Sequence, residues 1–191
     1  MRKFFLRLVA AAEFYAILIS GKFFSISYVV RYLRNPNPII TVKLLKKFGA
    51  TIGDKSTIKR TLFIDNCYED QDSKGDFSNI FIGSNCYIGD CVYFDLANKI
   101  IIEDNAVISG KVSFITHADC NRSEFLTEKF PRKSASILIE NNVWIGFGTT
   151  ILSGVKVGEK TVVGAHSLVK SNVDPFSIIT GIPARKIKSF T

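Results

Sequence analysis

Ile139 to Asp174 reads IENNVW, IGFGTT, ILSGVK, VGEKTV, VGAHSL, VKSNVD: six consecutive blocks of six residues, each opening on Ile or Val. The fifth residue of each block is small or β-branched: Val143, Thr149, Val155, Thr161, Ser167 and Val173. A short fixed period of this kind marks a solenoid, and a hexad period marks a parallel β-helix. Three six-residue sides close one coil of 18 residues. The opening aliphatic points inward and stacks on its equivalents above and below.

The same ruler extends backwards. Ile52, Ile58 and Ile64 open one coil, Ile82, Ile88 and Phe94 a second, and Ile102, Ile108 and Phe114 a third. With 139–156 and 157–174 this gives about five coils. Two stretches break the frame, residues 70–81 and the loop 120–138, and interruptions in a solenoid map to loops on its outside, often at the binding face. The expected fold is therefore all-β, a parallel β-helix over residues 49–191, preceded by an N-terminal helical, basic and apolar segment over residues 1–48.

The net charge of +8 lies entirely at that N-terminal end. Residues 1–47 hold nine Lys or Arg against one acid, Glu13, and the remaining sixteen basic residues are matched by sixteen acidic ones. The repeat body is thus neutral, which argues against nucleic acid as a partner. The apolar stretch Leu8 to Ile19 is interrupted by Glu13 and reads as too short to span a bilayer. Two readings of residues 1–34 stay open: a basic amphipathic helix in peripheral contact with an anionic membrane face, or helices that cap the β-helix and shield its unpaired edge. Thr41 to Phe48 reads as a short helix with Gly49 at its C-terminal cap. Cys67, Cys86, Cys91 and Cys120 have no metal-ligand spacing and read as reduced thiols of a cytoplasmic protein.

The chain has two histidines. His117 closes the third coil immediately before the loop 120–138, where an imidazole would stand at the rim of a cleft and serve as general base near neutral pH. Asp95 lies on the same side one coil below, about 4.8 Å of rise away, placed to contact or orient an acceptor. His166 reads as a surface or interface residue. Zinc sites of the gamma-class carbonic anhydrase kind need three histidines, so no metal is expected.

Thr116-His117-x-Asp119, Asn142-Val143-Trp144-Ile145-Gly146, Val163-Gly164-Ala165-x-Ser167-x-Val169 and Gly181-Ile182-Pro183-Ala184-Arg185 together resemble the hexapeptide-repeat acyltransferases, in the branch of galactoside, maltose and polysaccharide O-acetyltransferases. The resemblance covers roughly residues 80–188. It implies a left-handed β-helix, a homotrimer with sites between subunits, and acetyl transfer from acetyl-CoA to a hydroxyl. It makes His117 the catalytic base and gives Asp95, Tyr87, Trp144 and Asp119 to the acceptor side. Gly146, Phe147, Ala165, Lys170, Arg185 and Lys188 fall along the coenzyme. There are departures. Tyr87 stands where the branch usually carries an acceptor-binding Asn, Phe147 replaces a small polar residue, and the loop after His117 is longer. A free galactoside or maltose is therefore not the expected acceptor; a sugar of a surface polysaccharide or its precursor, met at the inner membrane face, is. The expected mechanism is direct transfer with a backbone N–H near Phe147 steadying the oxyanion and no acylated residue, although Cys120 is close in sequence. The alternatives are N-acetylation of an amino sugar and a non-catalytic β-helix scaffold.

Overall fold

The computed structural model describes residues 2–120 and 123–190, without the side chains of Arg2 and Lys3. Asn121 and Arg122 of the loop 120–138 and the terminal Met1 and Thr191 lie outside the described residues. Three helices come first: α1 (Arg2–Phe23), α2 (Ile26–Tyr32) and α3 (Thr41–Lys47). Short strands follow, stacked into three parallel sheets that form the walls of a β-helix.

The first wall is β1 (Thr51–Ile52), β4 (Ile80–Ile82), β7 (Ile100–Ile102), β12 (Ile137–Ile139) and β15 (Lys156–Val157). The second is β2 (Thr57–Ile58), β5 (Tyr87–Ile88), β8 (Val107–Ile108), β13 (Trp144–Ile145), β16 (Val162–Val163) and β18 (Ser177–Gly181), ending on the antiparallel β19 (Ala184–Ser189). The third is β3 (Leu62–Asp65), β6 (Val92–Asp95), β9 (Ser113–Phe114), β14 (Thr150–Ile151) and β17 (Leu168–Val169). The opening residue of each hexad is the buried one. Ile58, Ile88, Ile108, Ile145, Val163 and Ile179 stack up the second wall. Phe94 and Phe114 stack ring on ring in the third, with centroids 5.5 Å apart. The fifth positions Thr149, Thr161 and Ser167 are buried too, and their hydroxyls bond to backbone carbonyls of Gly164 and Asp174, which removes the cost of burying a polar atom.

The corners are left-handed. Lys55, Asn85, Asn105, Asn142 and Lys160 turn from the first wall to the second with φ of 54° to 59°; Thr61, Cys91, Lys111, Gly148 and His166 occupy the next corner, also at positive φ. Asn tolerates this region better than other side chains, and it fills three of the first five positions. Gly146 answers a different demand. A Cβ there would lie 2.6 Å from the Ala165 backbone nitrogen and 2.7 Å from the Val163 oxygen, so the next rung leaves no room for one.

The helices close the first end of the tube. Leu33, Leu44 and Leu45 are buried, Leu62 N–H donates to the Leu33 carbonyl at 2.8 Å and Phe77 N–H to the Phe48 carbonyl at 2.7 Å. Gly49 takes φ 105° just past α3, as its place at a helix end requires. One core runs without a break from Ala10 to Ile179, so residue 48 marks a change of secondary structure and not of core.

One expectation is corrected. α1 is not limited to Leu8–Ile19: it runs 22 residues, and Phe4–Phe23 has mean hydropathy 1.6, long and apolar enough by length and composition to cross a membrane. Glu13 does not interrupt it. Its carboxylate accepts from the Tyr32 hydroxyl at 2.8 Å and the Asn37 amide at 2.9 Å, on the packed side of the helix.

Candidate active site

After Phe114 the chain leaves the third wall. β10 (His117–Ala118) and β11 (Lys133–Ser134) form an antiparallel pair that opens and closes the loop, with His117 opposite Ser134. Between them α4 (Glu124–Lys129) is capped by the Ser123 hydroxyl, which accepts from Leu126 N–H. The loop is therefore a pinned hairpin with a helical tip.

Asp95 lies under His117. The side chain is 1% exposed, and Oδ2 sits 2.7 Å from His117 Nδ1. The same oxygen accepts the backbone N–H groups of Thr116 at 2.7 Å and His117 at 3.1 Å; Oδ1 accepts from the Asn66 amide at 2.8 Å and Ala97 N–H at 3.3 Å. Burial alone would raise this carboxyl's pKa, but the Asn66, His117 and Ala97 hydrogen bonds outweigh it, and the pKa is held below the ordinary value of 3.8. An ionised carboxylate can only accept, so Nδ1 carries a proton, and in the neutral ring the lone pair is on Nε2. Asp95 was expected to touch an acceptor. Its oxygens are instead engaged by these donors, and its position makes it the residue that orients the His117 ring.

Asp119 does stand at the mouth of the site. Its carboxylate, that of Asp70 and a His117 nitrogen lie within 4.8 Å of one another. The cation among them is Arg132. It pairs with Asp70 at 2.7 Å, with Asp72, and with Asp119 at 3.6 Å. These ion pairs cross from the loop 120–138 to residues 70–72, so the two interruptions of the repeat pack on each other beside His117. Two open cavities flank Asp119 and Cys120. One of about 360 Å³ is walled by Leu126, Phe130 and Pro131; the other, about 400 Å³, by Asp70, Gln71, Thr127 and Arg132. Cys120 Sγ faces the Phe130 carbonyl at 3.4 Å and the Thr127 hydroxyl at 3.9 Å. Asp70, Arg132 and Ser134 were not singled out from the sequence, because no period relates the two interruptions to each other, nor was Asn66, which follows β3 in the first coil.

The remaining candidates stand elsewhere on the same chain. Tyr87, Val107, Trp144, Val162 and Ile178 are in register up the outside of the second wall, and the first three are exposed. Trp144 Nε1–H donates to the Ser109 hydroxyl at 3.2 Å. Phe147 sits at the following corner, edge-on to His166 and under the Lys111 ammonium. Its N–H has no hydrogen-bond partner among the described residues, whereas the N–H groups of Gly146 and Gly148 are both bonded. Ala165 adjoins the same corner, Lys170 lies just past β17, and Arg185 and Lys188 are on β19. An apolar strip ending in cations suits a pantetheine arm and its phosphates. Tyr87 and Trp144 lie on a different wall from the one that leads into His117.

A β-helix built on hexads, with a buried carboxylate holding one histidine at the root of an external loop, defines a class. Residues 136–171 match the family described as bacterial transferase hexapeptide, six repeats, and the chain belongs to the hexapeptide-repeat acyltransferases. It is 30% identical over 145 residues to the galactoside O-acetyltransferase of Escherichia coli (strain K12), covering 76% of this chain and 66% of that protein. It is 31% identical to the chloramphenicol acetyltransferase of Klebsiella aerogenes, covering 60% of this chain and 53% of that protein. The chain thus spans between about half and two thirds of the length of these relatives. A solved galactoside acetyltransferase in complex with coenzyme A superposes with a TM-score of 0.73 at 26% identity, over 86% of this chain and 78% of that one.

Proposed function

We propose that this chain is an acetyl-CoA-dependent O-acetyltransferase that acts on a sugar hydroxyl, in a surface polysaccharide or its precursor. The observation that carries this is the 2.7 Å contact between Asp95 and His117 Nδ1, which leaves Nε2 as the proton acceptor. His117 takes the acceptor proton as the hydroxyl oxygen attacks. The free Phe147 N–H meets the developing oxyanion. Acetyl-CoA, when bound, would supply the activated acyl group, and as its C–S bond breaks CoA would leave as the thiol with the proton that His117 took. Trp144, Gly146, Phe147, Ala165 and Lys170 line its path, and Arg185 and Lys188 attract its phosphates. Asp119 and the polar cavity at Arg132 receive the acceptor. Transfer is direct in this reading, without an acylated residue, and the Cys120 thiol is held at the Phe130 carbonyl and the Thr127 hydroxyl. No metal enters this reading.

The working form in this reading is a homotrimer of left-handed β-helices. Tyr87, Val107 and Trp144 leave an aromatic and aliphatic strip on the second wall, and a neighbouring protomer would bring its own His117 loop to that strip. Four free thiols suit the cytoplasm, at the inner face of the membrane. The test is thiol release from acetyl-CoA against a panel of hydroxyl- and amino-sugars, wild type against His117→Ala. Hydroxylamine-labile product from a hydroxyl-sugar supports the reading. A stable amide formed only from amino-sugars replaces it with N-acetylation, and thiol release that survives His117→Ala removes the base.

A further inference from the structure

α1 has two unlike sides. Its inner side is seated from Ala10 onward. Ala10 and Phe14 are buried, and the Lys43 ammonium lies 4.2 Å from the Phe14 ring centroid. At Gly21 a Cβ would lie 2.4 Å from the Phe48 ring and 2.5 Å from Val29, so the helix comes down closely on its neighbours there. Glu13 is tied to Tyr32 and Asn37. The outer side carries Phe4, Leu8, Ala12, Tyr15, Ile19 and Phe23, spaced three or four apart and therefore on one face. All six are exposed and none is charged; Phe4 is 73% and Phe23 79% exposed. Phe24 and Ile39 extend the apolar surface beyond the helix.

The helical end of the chain carries an excess of exposed positive charge. Arg7, Lys22, Arg31, Arg34, Lys46 and Lys47 are exposed, and the one acid in residues 1–47, Glu13, is engaged on the inner side. We infer that the outer face of α1 is a docking surface for an anionic lipid bilayer, and that α1 lies flat in the interface without crossing it. A second copy of the chain is a poor occupant, because it would bring the same excess of positive charge to the same face. Anionic headgroups supply the opposite charge, and apolar rings with flanking cations are the composition of interfacial helices. Crossing is disfavoured although the length allows it. It would strip Phe14 and Gly21 of their partners and carry the Glu13 carboxylate into hydrocarbon without Tyr32 and Asn37. Lipid binding stands whether or not the chain transfers acetyl groups.

The experiment is co-sedimentation of the full chain with vesicles of phosphatidylcholine alone and of phosphatidylcholine with phosphatidylglycerol. The chain should partition onto the anionic vesicles, lose that binding in high salt, and be released from cell membranes by alkaline carbonate. Leu8→Ser with Ile19→Ser should lower partition by at least about tenfold with an unchanged circular dichroism spectrum. No partition of the wild-type chain would overturn the inference, as would equal partition of the double variant. Resistance to carbonate would overturn the flat placement in favour of a spanning helix. Self-association in solution abolished by the same two substitutions would reassign the face to a second copy.

Discussion

One carboxylate oxygen of Asp95 holds both ends of His117: it lies 2.7 Å from the ring nitrogen Nδ1 and accepts the residue's own backbone N–H at 3.1 Å. Tautomer and ring direction are therefore set by the same atom. His117→Ala should lower kcat by roughly 10² to 10⁴ while leaving the Kd for CoA unchanged. Asp95→Asn keeps the shape but offers a neutral acceptor. It should lower kcat by about 10- to 100-fold and destabilise the fold by about 1–3 kcal/mol, as expected for a mispaired buried group. Steady-state kinetics with calorimetric CoA titration separates the two variants.

The Asp95 carboxyl, held below its ordinary value of 3.8, gives stability a defined acid limb. Its folded pKa is lower than its unfolded one, so its contribution is complete above the unfolded value and fades as pH falls through the folded value. Thermal unfolding of the wild type should drop through that acid range. The Asp95→Asn variant should show a shallower drop, and parallel curves would contradict the assignment.

Arg132 joins the two interruptions through Asp70 and Asp72 and also reaches Asp119 at the root of its own loop. Arg132→Gln should raise the KM for the acceptor severalfold and leave the KM for acetyl-CoA near wild type, because the strip proposed for the coenzyme lies on another wall. Asp70, whose side chain is 9% exposed, would lose its cation, at a cost of about 1–3 kcal/mol. An equal rise in both KM values would mean that the loops support the whole groove.

Gly146→Ala puts a methyl against the backbone of Val163 to Ala165, which cannot swing aside as a side chain would. The rungs must separate locally, at a cost of about 1–3 kcal/mol. A lowered Tm with weakened CoA binding is expected, since the Phe147 N–H is the next group along.

The hexad made the walls readable because every sixth residue faces the same cavity, and Ile145, Val157 and Val163 are buried accordingly. Three corners carry Asn, a sign the sequence reading did not use, whereas Cys91 and His166 hold the same left-handed turn without a compositional sign. Height along the tube placed Asp95 beside His117. Direction was not given by that height: by simple alternation after the inward Phe94, Asp95 would face out, yet the donors of Thr116, His117 and Asn66 enclose it. Arg132 and Asp70 were beyond reach for another reason: they meet across 62 residues in the two segments the period does not govern. Acid concentrated in the first interruption and an Arg in the second were the available hints. In α1, one charge was read as an end to the apolar run, when Tyr32 and Asn37 satisfy it from the side.

β19 has a consequence for how copies of this chain meet. It lies antiparallel on β18 and presents Arg185, Lys186 and Lys188 outward, while Leu33 and Phe48 occupy backbone groups of the opposite rim. A stack of parallel rungs is otherwise a template for head-to-tail filament growth. A reversed, cationic strand over the second wall at one rim and helices at the other disfavour joining of tubes end on end.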